Sequence, residues 1–279
     1  MKIEVQKRLQ FLKNLLFTCL KNKGKERTIP FGNVLDKSAK MKRLILIVLR
    51  FFFELPVLIF QLKHIKKHMD TIPFDERIDW TRILLKKATK RARVNLTITG
   101  TEYLPETGGF FVAPNHQGLF DVLALFDSIE RPFKIVFKKE LLDVIFLRDV
   151  AEFMEYPAID RTNLRASMKL MRQVKKEMSE GIPYVIFPEG TRSKKGNELL
   201  EFKGGSFKPA MDAQVPIIPC VMHNCFKVLD SNSIKRVDCG IHYLSPIHYE
   251  EYKDMNSVEV ANLVQSRIQT KMDELEERA

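Results

Sequence analysis

The stretch Phe110-Phe111-Val112-Ala113-Pro114-Asn115-His116-Gln117-Gly118-Leu119-Phe120-Asp121 constrains this chain more than any other. An uninterrupted apolar run stops at a Pro-Asn break, as a buried strand of a parallel sheet does. Hydrophobic residues resume at Val122, Leu123, Leu125 and Phe126, which reads as the start of a helix. The expected order is strand, sharp turn, helix. Residues five apart on an ideal helix stand about 140° apart, because each residue turns about 100°. A wholly helical segment would therefore point His116 and Asp121 to different sides. With His116 in the turn before the helix, its ring bends back to meet the Asp121 carboxylate. That pair fixes one imidazole nitrogen as a donor and leaves the other as a base. The alternative is a turn histidine and a helix aspartate that never touch.

A second segment repeats the pattern. In Pro183-Tyr184-Val185-Ile186-Phe187-Pro188-Glu189-Gly190-Thr191-Arg192-Ser193 an apolar run again ends at proline and opens into a polar loop. Gly190 permits a tight backbone turn. Arg192 offers a planar fork suited to phosphate or carboxylate, and Thr191 and Ser193 add hydroxyls. A strand feeding such a loop places a site at the edge of an α/β sheet. Standing alone, the same loop would read as a surface turn with a solvated arginine.

The remaining elements fit the same architecture. Val94–Ile98 and Val237–Tyr243 alternate as strands do, Gly108-Gly109 precedes the strand 110–113, and Phe133–Phe137, Tyr184–Phe187 and Ile217–Met222 are further strands. Residues 75–93 look helical, with Ile78, Ile83, Leu84 and Ala88 on one side. Asn163–Gly181 is a helix with Asn163 as N-cap and Gly181 as stop. Ser257–Glu276 closes the chain with Val260, Leu263, Val264, Ile268 and Met272 inward. Strands alternating with helices predict an α/β fold: a largely parallel mixed sheet covered by helices on both faces. An N-terminal helical membrane-associating region, 1–93, precedes this α/β domain, 94–279.

The N-terminal region owes that reading to charge and hydropathy. Residues 1–100 carry 23 lysines and arginines against 8 acids; residues 101–279 carry 23 against 27. The basic excess points to an anionic partner, lipid headgroups or nucleic acid. Nucleic acid lacks support, since no recognisable module interleaves aromatic and basic residues. Residues 1–21 space Val5, Leu9, Leu12, Leu16 and Leu20 as a basic amphipathic helix, which lies on an anionic membrane or packs on the protein. Residues 22–40 read as a polar linker. Leu44–Leu62 holds 15 apolar residues of 19, but Arg50 and Glu54 interrupt it and Pro56 follows. Insertion of its apolar residues contributes about −4 to −9 kcal/mol, and the two charges cost about +5 to +7, for a sum near zero. Arg50 and Glu54 can pair at i,i+4, and basic residues flank both ends (Lys40, Lys42, Arg43; Lys63, Lys66, Lys67). A helix immersed in one leaflet is favoured over a full span, on the cytoplasmic face of an anionic membrane. The four cysteines, Cys19, Cys220, Cys225 and Cys239, form no C-x-x-C and no zinc spacing. They fit scattered thiols in a reducing compartment.

Asn115-His116 with Asp121 five residues on, followed by Phe187-Pro188-Glu189-Gly190-Thr191-Arg192-Ser193, strongly resembles the glycerolipid acyltransferase family, over roughly residues 90 to 245. Ile159-Asp160-Arg161 and Val215-Pro216-Ile217-Ile218-Pro219 keep the family's order. The nearest branch is the one that acylates 1-acylglycerol-3-phosphate, lysophosphatidic acid. The resemblance implies a thioester donor, acyl-ACP or acyl-CoA, with no metal and no cofactor. His116 is then the general base and Asp121 its orienting carboxylate. No serine stands in a nucleophile elbow and no cysteine lies beside His116 in sequence, so direct attack is favoured over an acyl-enzyme. The resemblance assigns phosphate binding to Arg161 and Arg192. Lys138 and Lys139 match a family lysine pair and either assist or stand solvated at a helix start. Glu189, in the loop with Gly190 and Thr191, binds the glycerol or locks Arg192. Val215–Pro219 shapes an acyl channel or simply packs. Two departures stand out: Gly118 replaces the usual serine, and after Lys138-Lys139-Glu140-Leu141 the places of the family's proline and glycines hold Ile145, Arg148 and Met154. The competing expectations are glycerol-3-phosphate or another lysolipid as acceptor, or a non-catalytic membrane or anion-binding protein.

Overall fold

In the computed structural model the described residues are 41–278, apart from residues 52, 144 and 232. Residues 1–40, with the helix expected over 1–21 and the linker over 22–40, lie outside them. Among the described residues three helices come first: α1 (Met41–Arg50), α2 (Leu55–Lys67) and α3 (Phe74–Arg91). Then follow β1 (Val94–Thr99), β2 (Phe111–Pro114), α4 (Phe120–Ser128), β3 (Lys134–Ile135), β4 (Phe137–Lys138), α5 (Ile145–Phe153), β5 (Ala158–Ile159) and α6 (Leu164–Ser179). The chain ends with β6 (Tyr184–Val185), α7 (Lys208–Ala213), β7 (Ile217–His223), α8 (Phe226–Leu229), β8 (Val237–Tyr243), α9 (Tyr249–Tyr252) and α10 (Ser257–Glu277).

Six strands make one sheet in the order β1-β8-β7-β2-β6-β3. Every pair in it is parallel except β7–β8. Side chains alternate between the two faces of a strand, and β2 is apolar on both. Phe110, Val112, Val185, Ile218 and Cys220 pack on one side with Ile78 of α3 and Ala124 and Leu125 of α4. Phe111, Ala113, Tyr184, Ile217 and Val221 pack on the other with Val174 and Met178 of α6 and Val260, Val264, Ile268 and Met272 of α10. The α/β architecture with a mostly parallel sheet is therefore the one expected. Asn163 caps α6 by accepting from Ala166 N at 3.1 Å, and α10 starts with a capping box between Asn256 and Glu259.

Three expectations change. The strand expected over Phe133–Phe137 divides: Lys134–Ile135 joins β6, and Phe137–Lys138 pairs with β5 in a separate two-stranded ribbon. The helix expected over Leu44–Leu62 breaks at Phe51–Glu54, just before Pro56 in the first turn of α2. The break ends the i,i+4 geometry, so Arg50 and Glu54 turn to α3 instead of to each other. Arg50 donates to Arg91 O at 2.6 Å, and Glu54 pairs with Arg91 and, at 3.7 Å, with Lys87. Finally, Ile83 is exposed, while Arg77 on the same helix is buried and donates to Phe153 O at 2.7 Å. Apolar spacing marked one face of α3 but missed a cation that caps a neighbouring helix. Among the described residues no helix is long and apolar enough to cross a membrane.

The close approach of α6 to the entry of β2 needs a residue without a side chain. A Cβ on Gly109 would stand 2.0 Å from Met178 O, a backbone atom that cannot swing aside, whereas one on Gly205 would meet nothing within 4 Å. Gly109→Ala should lose about 1–3 kcal/mol of unfolding free energy through overpacking. Gly205→Ala should stay within about 0.5 kcal/mol of the parent. Paired urea melts check the contrast.

Candidate functional site

Parallel pairing of β2 with β6 decides which loops meet. Phe111 lies opposite Tyr184 and Val112 opposite Val185. Both strands run the same way, so the loops that follow leave from the same edge of the sheet. His116 lies five residues beyond Phe111 and Glu189 five beyond Tyr184, which brings them out level in the loops that leave two neighbouring strands about 4.8 Å apart. The contact follows: His116 N donates to Glu189 Oε1 at 3.0 Å. A second latch, Ser193 N to His116 O at 2.9 Å, joins the loops again. Phe187 lays its ring 4.1 Å from the imidazole, centroid to centroid.

Where β2 turns away from the sheet, the Asn115 side chain takes over from the backbone. Its Nδ2 donates to Met222 O at 3.1 Å, and its Oδ1 accepts from Met222 N at 2.7 Å. The amide thus supplies one more rung to β7 while the main chain bends toward His116. Gln117 is held in the same way, donating to Asn197 Oδ1 at 2.7 Å and accepting from Cys225 N at 2.8 Å.

The turn delivers three donors to one oxygen. Asp121 Oδ2 accepts from His116 Nδ1 at 2.8 Å, Gln117 N at 2.7 Å and Gly118 N at 2.9 Å. Asp121 is fully buried in the first turn of α4, where the helix dipole favours a carboxylate, and the imidazole remains 21% exposed. With Nδ1–H pointing at the carboxylate, Nε2 carries the lone pair. The bent geometry expected for His116 and Asp121 is the one observed.

The cations stand around the second loop. Arg161 donates to Gly190 O, and its guanidinium reaches within 3.1 Å of the place a Cβ on Gly190 would occupy. Gly190 also carries a φ of 72°, so the loop needs glycine twice over. Lys139 donates to Asp160 Oδ2 at 2.8 Å; this bond, helped by Thr162, holds the Asp160 carboxyl down at about 2. Arg192 pairs with Asp230 at 3.5 Å, Lys138 faces Glu140 at 3.5 Å, and Thr191 is exposed. The structure thus links His116, Asp121, Glu189, Gly190 and Arg161 in one chain of contacts, with Lys139 attached through Asp160. Thr191 and Arg192 share the loop, and Lys138 lies on the β4–β5 ribbon. Val215 through Pro219 leads into buried β7.

Several residues of the site carried no assigned role in the sequence reading. Asn115 and Phe187 stood inside the recognised stretches without one. Gln117, Asn197 and Asp230 act across long sequence separations, which no local pattern marks. Glu189 is buried, and burial pushes its carboxyl up to about 7.

The sequence model of a family described as Acyltransferase matches residues 95–223. A 1-acyl-sn-glycerol-3-phosphate acyltransferase of Borreliella burgdorferi is 30% identical over 143 residues, covering 51% of this chain and 57% of that protein. Proteins of the same name from Helicobacter pylori and Salmonella typhimurium are 30% identical over 161 and 170 residues. These matches cover 53% and 61% of this chain and 67% and 69% of the relatives. The crystal structure of a 1-acyl-sn-glycerophosphate acyltransferase from Thermotoga maritima has the same fold, with a TM-score of 0.63 at 18% identity, covering 85% of this chain and 97% of that one.

The raised Glu189 carboxyl has a signature in stability. Above about 4.5 the unfolded chain releases this proton, while the native state keeps it up to about 7. The native state then binds more protons, so stability falls as pH rises through that window. Glu189→Gln keeps an acceptor for His116 N and removes the titration. The unfolding free energy of the parent relative to Glu189→Gln should drop by on the order of 2–3 kcal/mol across the window. Denaturant titrations at about pH 5 and about pH 8 measure it, and an equal difference at both would show that Glu189 titrates normally.

Proposed function

This chain belongs to the acyltransferase family, and we propose that it moves a fatty acyl group from a thioester donor, acyl-ACP or acyl-CoA, to the sn-2 hydroxyl of lysophosphatidic acid, giving phosphatidic acid. The observation that carries this reading is the His116 Nδ1–Asp121 Oδ2 contact of 2.8 Å, at the sheet edge shared with the arginine-bearing loop. The names of the relatives support the choice of acceptor.

The reaction asks for a base, an orienting group and an anchor. Nε2 of His116 takes the proton of the acceptor hydroxyl as that oxygen bonds to the thioester carbonyl carbon. The tetrahedral adduct collapses, the carbon–sulfur bond breaks, and the imidazolium returns the proton to the leaving thiolate. Buried Asp121 holds the ring and stabilises the imidazolium between the two transfers. A thioester is already activated, so this route needs neither nucleotide nor metal. Arg192 and Arg161 anchor the acceptor phosphate through charge-assisted hydrogen bonds, with Lys138 and Lys139 as outlying cations. Gly190 and Thr191 shape the loop that carries the anchor, and Glu189 fixes that loop to the backbone of His116.

The acceptor and product are lipids, and the helices before the sheet suit a lipid surface. Leu49, Phe53, Val57 and Phe60 are 61%, 90%, 56% and 72% exposed, and Lys63, Lys66 and Lys67 follow them in the sequence. Such a ridge with flanking cations enters one leaflet of an anionic membrane from the cytoplasmic face.

His116→Ala should lower kcat by about 10²–10⁴-fold in a thiol-release assay with acyl-CoA and lysophosphatidic acid; turnover like the parent's would end the proposal. Arg192→Ala should raise the KM for the acceptor while sparing that for the donor. Product analysis with glycerol-3-phosphate and other lysolipids decides among acceptors.

A further inference from the structure

Arg192 does not stand alone in its loop. Its Nη1 lies 3.5 Å from Asp230 Oδ1, and the two side chains are only 17% and 16% exposed. Asp230 follows α8 directly, with its N–H bonded to Phe226 O at 3.1 Å. Its carboxylate occupies space that a side chain at residue 118 would fill: a Cβ on Gly118 would stand 2.3 Å from Asp230 Oδ2. The next atoms are 3.5 Å away, so Asp230 is the single group in conflict. Gly118 itself donates its N–H to Asp121, two residues beyond His116. Beyond their direct hydrogen bonds, the histidine turn and the arginine loop therefore share a neighbour, a carboxylate 112 positions later in the sequence than the glycine that admits it.

We propose that Asp230, admitted by the missing side chain at Gly118, is a positioning residue that holds the Arg192 guanidinium ready for the acceptor phosphate. The inference rests on the activity proposed above and deepens it. A long arginine side chain loses rotamer freedom when it clamps a ligand, and a partner that has already ordered it removes part of that cost. The separation of 3.5 Å suits such a role, because the pair is close enough to orient the fork and too loose to compete with a bidentate phosphate. The carboxylate is the flexible end of its residue, so a methyl group at 118 moves it aside and leaves the backbone in place.

The test uses the full chain, acyl-CoA and lysophosphatidic acid in mixed micelles. Asp230→Ala should raise the acceptor KM about three- to tenfold and leave the donor KM unchanged. Asp230→Asn, which keeps an oxygen facing Arg192, should show a smaller rise. Gly118→Ala should raise the acceptor KM in the same direction. In an Arg192→Ala background neither Asp230→Ala nor Gly118→Ala should move it further. A fall or no change in the acceptor KM of Asp230→Ala overturns the proposal, since a fall marks Asp230 as a competitor for the guanidinium. An equal shift with Arg192 already removed overturns it too, as a general packing effect. A parent chain with no turnover on any acceptor sinks the activity alone; Arg192 side-chain NMR then decides. Guanidinium rotation that is hindered in the parent and released in Asp230→Ala supports positioning, and identical rotation in both refutes it.

Discussion

One carboxylate oxygen holds the site in shape. Asp121 Oδ2 collects the imidazole N–H and two consecutive backbone N–H groups. Those groups can converge only if the chain turns sharply between Asn115 and Gly118. A fully buried carboxylate is costly unless donors surround it, so the turn and the acid stabilise each other. Remove the acid and two backbone donors lose their partner; straighten the turn and the acid loses its hydration substitute. The ring orientation is therefore a property of the fold's local hydrogen bonding and not of the histidine's own rotamer preference.

The sheet supplies the second constraint. Short parallel strands cannot be joined by tight hairpins, so each must be followed by a crossover. The loops at one edge then come from remote parts of the sequence. Here the β2–β6 register sets His116 and Glu189 level, and the His116–Glu189 and His116–Ser193 bonds tie the loops together. Asn115 solves the problem this arrangement creates, by giving Met222 the hydrogen-bond partners that the departing main chain withdraws.

How much of this the sequence disclosed depended on the range of the physics involved. Apolar runs marked β2, β6 and β7, the first two with proline stops, because strand burial is written in consecutive residues. The His116–Asp121 pair was legible because both partners sit in one turn. Asn163 and Gly181 marked α6 for the same reason. What stayed hidden acts at a distance. Asp230 reaches Arg192 across the fold, Asn197 joins Gln117 to Asn224 and Glu276, and Arg77 is buried against Phe153 and Glu155. The apolar stretch from Leu44 to Leu62 misled for a related reason. Its charges look unfavourable when weighed along one helix, but α3 offers Glu54 two cations that no local window contains.

That last contact has a mechanical meaning. The turn between α1 and α2 carries Phe53 outward and, one residue on, Glu54 inward to Arg91 at the end of α3. α3 also lies on the core through Ile78, which packs in the same cluster as Phe120 and Leu125 of α4. Load on the Phe53 turn therefore passes through the Glu54–Arg91 pair into α3, whose Ile78 shares a cluster with the helix that carries Asp121.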